Sequence, residues 1–104
     1  MHDRKVADVS FEGKRAVVCL VADIEYEAAD RLRTLIEGLI GKGYLDVVVD
    51  FGQCRFLDSS GLGTLVTLHK KLKLQGGSLA LTRVSEDIHD LLVITRVNKY
   101  IPIL

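Results

Sequence analysis

The sequence predicts an α/β domain in which a mixed β-sheet carries helices packed against it, in the order β-β-α-β-α-β-α-β. Three observations lead there. Short valine-rich runs, each about one strand long, alternate with stretches whose apolar residues recur every three or four positions. The first two runs are joined by a turn at Gly13-Lys14, as in a hairpin, whereas the later runs are separated by enough chain for a crossover helix. Finally, 104 residues with 48% apolar content is the size and make-up of one domain with a core of its own, spanning residues 1–104.

The elements follow in order. Met1 to Arg4 carry mixed charge without periodicity and are expected to fray. From Lys5 to Phe11 polar and apolar residues alternate, and Ala16 to Val21 is apolar on both faces, which places the second strand toward the sheet interior. Between Glu25 and Ile40 the positions Ala28, Ala29, Leu32, Leu35, Ile36, Leu39 and Ile40 mark one face of a helix. Asp23 is positioned to cap its start, and Gly41 and Gly43 tolerate the backbone of its end. Leu45 to Phe51 reads as a strand covered on both faces.

A second helix, with Leu62, Leu65, Val66, His69 and Leu72 on one face, stops at Gln75-Gly76-Gly77. Ser78 to Thr82 is a short strand. Ser85-Glu86-Asp87 opens a third helix that buries Ile88, Leu91, Leu92 and Thr95. Tyr100 to Leu104 holds the only proline, Pro102, and is expected to be an edge strand or an extended tail.

Composition excludes several functions. Fourteen basic and fourteen acidic residues cancel, leaving no overall field to recruit nucleic acid or a charged membrane. The run His69-Lys70-Lys71-Leu72-Lys73 suits a solvated helix C-terminus, where the dipole attracts cations. Without a signal peptide or a long apolar run the chain is expected to be cytoplasmic. Cys19 sits in an apolar strand and reads as a small buried side chain; Cys54 sits in a polar connection and reads as a loop thiol. The scattered His2, His69 and His89 and the absence of CxxC or HxxxH predict no metal site, and nothing in the sequence calls for a cofactor. Gly61-Leu62-Gly63 lacks the third glycine of a dinucleotide loop, and Ser59 and Ser60 lack the flanking glycines of a nucleophile elbow, so an enzyme is not expected.

What remains is Phe56-Leu57-Asp58-Ser59-Ser60-Gly61-Leu62-Gly63, a polar turn joining a buried strand to an amphipathic helix. Its two hydroxyls and one carboxylate stand where free N–H groups of a first helical turn need acceptors. A hydroxyl there also suits phosphorylation, because the added charge would sit beside those N–H groups. On the residues alone the cap outweighs the phosphosite, since caps are common and phosphosites rare.

Val47-Val48-Val49-Asp50-Phe51, then Phe56 to Leu65, then Gln75-Gly76-Gly77, resembles the STAS domain of bacterial anti-sigma factor antagonists, over nearly the whole chain. The D-S-[ST]-G-L-G motif after a hydrophobic strand is the most specific part; Leu91-Leu92 and Asn98 to Ile103 also look like the family's later half. The resemblance implies a STAS-like single domain that is not an enzyme. In that family a partner anti-sigma factor, a serine kinase of the GHKL type, phosphorylates the hydroxyl after the motif aspartate, and a PP2C-type phosphatase removes the phosphate.

The unphosphorylated antagonist binds the kinase and releases the sigma factor. Carried over, Ser59 is the acceptor, and Asp58, Ser60, Gly61 and Leu62 adjoin it in the contact surface. The family's Gly-Glu-Leu-Asp-like turn corresponds to Ala22-Asp23-Ile24-Glu25, which adds Asp23 and Glu25 to that surface and lacks the glycine. Many members continue into a further helix past the point matching Leu104, which implies a minimal domain or a dispensable helix. Two other readings are a ligand-binding or scaffold STAS module of a signalling complex or transport system, which needs no phosphoserine, and a small hydrolase using Ser59 or Ser60.

Overall fold

The computed structural model describes residues 5–104, so the expected fraying of residues 1–4 lies outside the described residues. Two hairpin strands, β1 (Ala7–Glu12) and β2 (Arg15–Leu20), precede α1 (Tyr26–Gly41), β3 (Asp46–Asp50), α2 (Ser59–Leu74), β4 (Ser78–Thr82) and α3 (Glu86–Ile94), and a short 3-10 turn spans Val97–Lys99. The strands form one mixed sheet in the order β1-β2-β3-β4, antiparallel between β1 and β2 and parallel thereafter. The expected α/β fold class holds.

The register explains the sequence pattern. Val9, Val18, Val49 and Leu81 form one cross-strand row, and Phe11, Ala16, Val47 and Leu79 form another on the same face. Apart from the β1 members at the edge, these residues are fully buried and share one core with Leu32 and Ile36 of α1, Leu65 and Leu68 of α2, and Leu92 of α3. Burying a leucine in this way stabilises the fold by about 1.5 to 3 kcal/mol. The alternate row Ser10, Val17, Val48 and Ala80 faces away. Val48 is buried while standing outside that core, and Val17 and Ala80 are half-buried. The second face of the sheet is thus the shallower one, and the expected cover on both faces of β2 and β3 is unequal.

Other local expectations are corrected. Tyr100 to Leu104 makes a single parallel bridge, Ile103 to Leu81, with Leu104 N–H donating to Leu81 O at 2.7 Å. Pro102 has no N–H, so the ladder cannot run on through it. Thr95 is exposed and not on the buried side of α3; it ends the helix, and its hydroxyl donates to Leu91 O at 2.7 Å. The cysteines exchange places relative to expectation: Cys19 is half-buried on the shallow face, whereas Cys54 is 1% exposed. Cys54 Sγ donates to Phe56 O at 3.4 Å, and burial pushes its thiol pKa up. A connection rich in polar residues here folds back over the core and takes its thiol inside.

Candidate functional site

The connections β2-α1 and β3-α2 leave the carboxyl ends of neighbouring parallel strands, the place where open α/β sheets build their sites. Here the two connections are stitched together. Ile24 and Leu57 form a parallel bridge, with Ile24 N–H donating to Phe56 O at 2.9 Å and Asp58 N–H donating to Ile24 O at 3.2 Å. Asp23 adds a second tie, since its Oδ1 accepts from Arg55 N at 2.9 Å and Phe56 N at 3.2 Å. This corrects the expected cap. Glu25 occupies the N-cap position of α1, makes no side-chain cap bond, and leaves Asp23 to hold the neighbouring loop.

The start of α2 is seated on that bridge. Ile24 and Leu57 are both buried, and Gly61 lies against them. A Cβ on Gly61 would come within 2.5 Å of Leu57 Cδ1, 2.8 Å of Ile24 Cγ2 and 2.9 Å of Ile24 O. Only glycine lets the helix approach this closely. The glycine of the D-S-S-G sequence is therefore buried packing that fixes where the neighbouring serines stand.

Asp58 is the N-cap of α2, its Oδ1 accepting from Gly61 N at 2.9 Å while its carbonyl accepts from Leu62 N at 2.9 Å. The carboxylate does the capping that the sequence left open between one acid and two hydroxyls. Ser59, the first residue of α2, is exposed, and its hydroxyl has no hydrogen bond to any described residue. Ser60 and Leu62 are half-buried beside it and Glu25 is exposed. Asp58 also lines a cleft of about 630 Å³ together with Asp23, Glu25, Tyr26, Lys5 and Arg31. The structure thus gathers Asp23, Glu25, Asp58, Ser59, Ser60, Gly61 and Leu62 at one end of the sheet.

Two aromatic residues at this end carry more weight than the sequence reading gave them. Tyr26, the first residue of α1, is 76% exposed, and Phe56, just before the bridge, is 51% exposed. Large apolar rings left in water beside a polar turn are the signal that points to them.

His69 stands apart from the serines. His69 is buried against the ring of Tyr100 at a centroid distance of 5.2 Å, and its Nδ1 has no hydrogen-bond partner among the described residues. Burial, and then Lys73 and Lys70, hold its pKa below the ordinary value. From residue 59 to residue 69 of one helix is about 15 Å along the axis, so His69 cannot serve either serine as a base. Among the described residues no group of three or more His, Cys, Asp or Glu is arranged to hold a metal ion, and no helix is long and apolar enough to cross a membrane.

Comparison with known proteins now places the fold. The STAS domain sequence model matches residues 7–104, and the chain belongs to the STAS domain family. An anti-sigma F factor antagonist of Paenibacillus polymyxa is 27% identical over 84% of this chain and 75% of its own length. Among solved structures, an anti-sigma factor antagonist from Mycobacterium paratuberculosis is 21% identical, covering 93% of this chain and 82% of its own, with a TM-score of 0.84. The Bacillus cell fate determinant SpoIIAA in its phosphorylated form is 18% identical, covering 94% and 90%, with a TM-score of 0.75. The anti-sigma factor antagonist SpoIIAA in its unphosphorylated form is 20% identical, covering 88% and 97%, with a TM-score of 0.71. At these identities the solved structures bear on the fold alone.

Proposed function

We propose that this STAS domain is an anti-sigma factor antagonist, a binding module switched by phosphorylation of Ser59. Unphosphorylated, it binds an anti-sigma factor serine kinase of the GHKL type and so releases the sigma factor. The kinase ends the interaction by phosphorylating Ser59, and a PP2C-type phosphatase restores the binding form. One observation carries this reading: Ser59 has an exposed hydroxyl at the first position of α2, free because Asp58 caps the helix in its place. The name of the Paenibacillus relative and the existence of SpoIIAA in phosphorylated and unphosphorylated forms support it.

The physical chemistry is consistent with a switch that leaves the fold intact. A phosphoserine at the start of a helix adds close to two negative charges beside the free N–H groups of the first turn, which the helix dipole favours. The first turn of α2 holds no acid, so the nearest carboxylate in sequence is that of Asp58. A partner covering Asp58, Ser59, Ser60 and Leu62, with Asp23 and Glu25 at the side, meets that doubled negative charge directly. The fold keeps its stability while the interface changes sign of complementarity.

The test compares Ser59→Ala with Ser59→Asp in binding to the source organism's anti-sigma factor kinases. The alanine variant is expected to bind one of them constitutively and the aspartate variant weakly. Equal affinities would overturn the switch.

A further inference from the structure

We infer that β1 is the interface of a symmetric homodimer: its outer edge pairs antiparallel with the same edge of a second copy, Val9 opposite Val9, joining two sheets into one. The inference stands apart from the antagonist reading, since no step of it involves Ser59. β1 closes one side of the sheet order β1-β2-β3-β4. Which of its groups face outward follows from the register. Val21 N–H donates to Val6 O at 2.9 Å, so Val6 and Val21 are a hydrogen-bonded pair, and so, two residues at a time, are Asp8 with Cys19, Ser10 with Val17 and Glu12 with Arg15. The N–H and C=O groups of Ala7, Val9 and Phe11 therefore point away from β2, and they have no hydrogen-bond partner among the described residues. Open edges of this kind are usually blunted by a proline, a lysine or a bulge. β1 holds neither residue and pairs with β2 without interruption.

The side chains choose both the partner and the register. Each copy presents residues 7, 9 and 11, so the pairing can slide only by two. Centred on Asp8 it sets Asp8 against Asp8, and centred on Ser10 it sets Asp8 against Glu12; like charges directly opposite are destabilising. Centred on Val9 it opposes no like charges: Asp8 meets Ser10, Val6 meets Glu12, and Ala7 meets Phe11. Every outward donor and acceptor of the three residues then finds its counterpart. Ala7, Val9 and Phe11 stand on the helix side of the sheet, where a cleft of about 420 Å³ is lined by Val6, Ala7, Thr34 and Leu35 together with Lys5, Asp30 and Arg31. Phe11 is 50% exposed, its ring against that of Tyr44 at a centroid distance of 4.6 Å. Set opposite Ala7, the smallest of the three side chains, the Phe11 ring of one copy is delivered to the cleft of the other, and the two-fold axis repeats the contact. The pairing closes on itself and leaves no free β1 edge on which a fibre could grow.

The test measures the mass of the purified full chain by sedimentation equilibrium and, alongside it, amide hydrogen exchange. The expected mass rises from monomer toward dimer with concentration. Exchange at Ala7, Val9 and Phe11 slows in step, while Asp8, Ser10 and Glu12, already bonded to β2, change little. Ser10 is exposed, so its variants leave the melting temperature near that of wild type. Ser10→Asp places an acid against Asp8 twice across the axis and should weaken the dimer about tenfold, whereas Ser10→Lys should tighten it about fivefold. Phe11→Ala, which empties the cleft, should also weaken it about tenfold. The inference is overturned by a chain still monomeric at about 1 mM, by a dimer whose Ala7, Val9 and Phe11 amides exchange freely, or by Ser10→Asp and Ser10→Lys acting alike. A monomer whose three amides slow only when an anti-sigma factor kinase is added gives the edge to that partner and overturns the dimer too.

Discussion

Helices α2 and α3 both begin at the carboxyl end of a parallel strand, and both have a serine at the start, yet the two serines are in opposite situations. At α3 the serine is the cap: Ser85 Oγ accepts from Ile88 N at 3.3 Å, and Glu86 and Asp87 follow it in the first turn. At α2 an aspartate takes that position, and Ser59 comes after it with nothing to hold. Replacing one capping hydroxyl by a carboxylate, and moving the serine one residue into the helix, separates two jobs that Ser85 cannot separate. A phosphate on Ser85 would remove the acceptor on which Ile88 depends and would face two acids. A phosphate on Ser59 removes no bond of the fold.

The difference can be broken or sharpened by substitution. The largest effect is expected at Gly61, whose added methyl would press on Leu57 and Ile24 at 2.5 to 2.9 Å. Gly61→Ala should destabilise by about 2 to 3 kcal/mol in denaturant unfolding, as overpacking of a filled site does. A loss under about 0.5 kcal/mol would show that α2 does not need its close seat on the Ile24-Leu57 bridge. Next is Asp58→Ala, which removes the α2 cap and should cost about 1 to 2 kcal/mol. The 3.3 Å bond at the other helix is longer, and Ser85→Ala should cost less, about 0.5 to 1 kcal/mol. The smallest effect is expected at the proposed switch: Ser59→Ala should stay within about 0.5 kcal/mol of wild type. Were Ser59→Ala to cost as much as Asp58→Ala, the hydroxyl would be part of the cap and the contrast between the two helices would vanish.

The contrast was half legible in the sequence. Ser85 followed by two acids reads as a cap because capping is local, a matter of residues three apart, and β4 was legible over Ser78–Thr82 for the same reason. The start of α2 offered three candidate acceptors in a row, and local chemistry alone could not choose among them. Asp23 shows the same limit more sharply. From its neighbours it looks like the cap of α1, but it bonds the peptides of Arg55 and Phe56, more than thirty residues away, and no local pattern encodes that tie.

The cysteines fail likewise, because burial of Cys54 depends on how its loop folds back and not on the polarity of Gly52, Gln53 and Arg55 around it. The exposure of Tyr26 is likewise tertiary, since the helical period marks the stripe that packs and is silent on which off-stripe residue adjoins a site. The class of fold was legible, because valine-rich runs and three-four periodicity survive any arrangement of loops.

The central claim is that Ser59, freed by Asp58, is the residue modified. The direct measurement is to incubate the purified domain with each anti-sigma factor kinase of the source organism and ATP, digest it, and locate the phosphate by mass spectrometry, with Ser59→Ala in parallel. The account predicts one phosphate, on Ser59, absent from the variant, and an unfolding midpoint for the phosphorylated domain no lower than that of the unmodified one. A phosphate on Ser60 or Ser85, or a modified domain that unfolds markedly more easily, would contradict it.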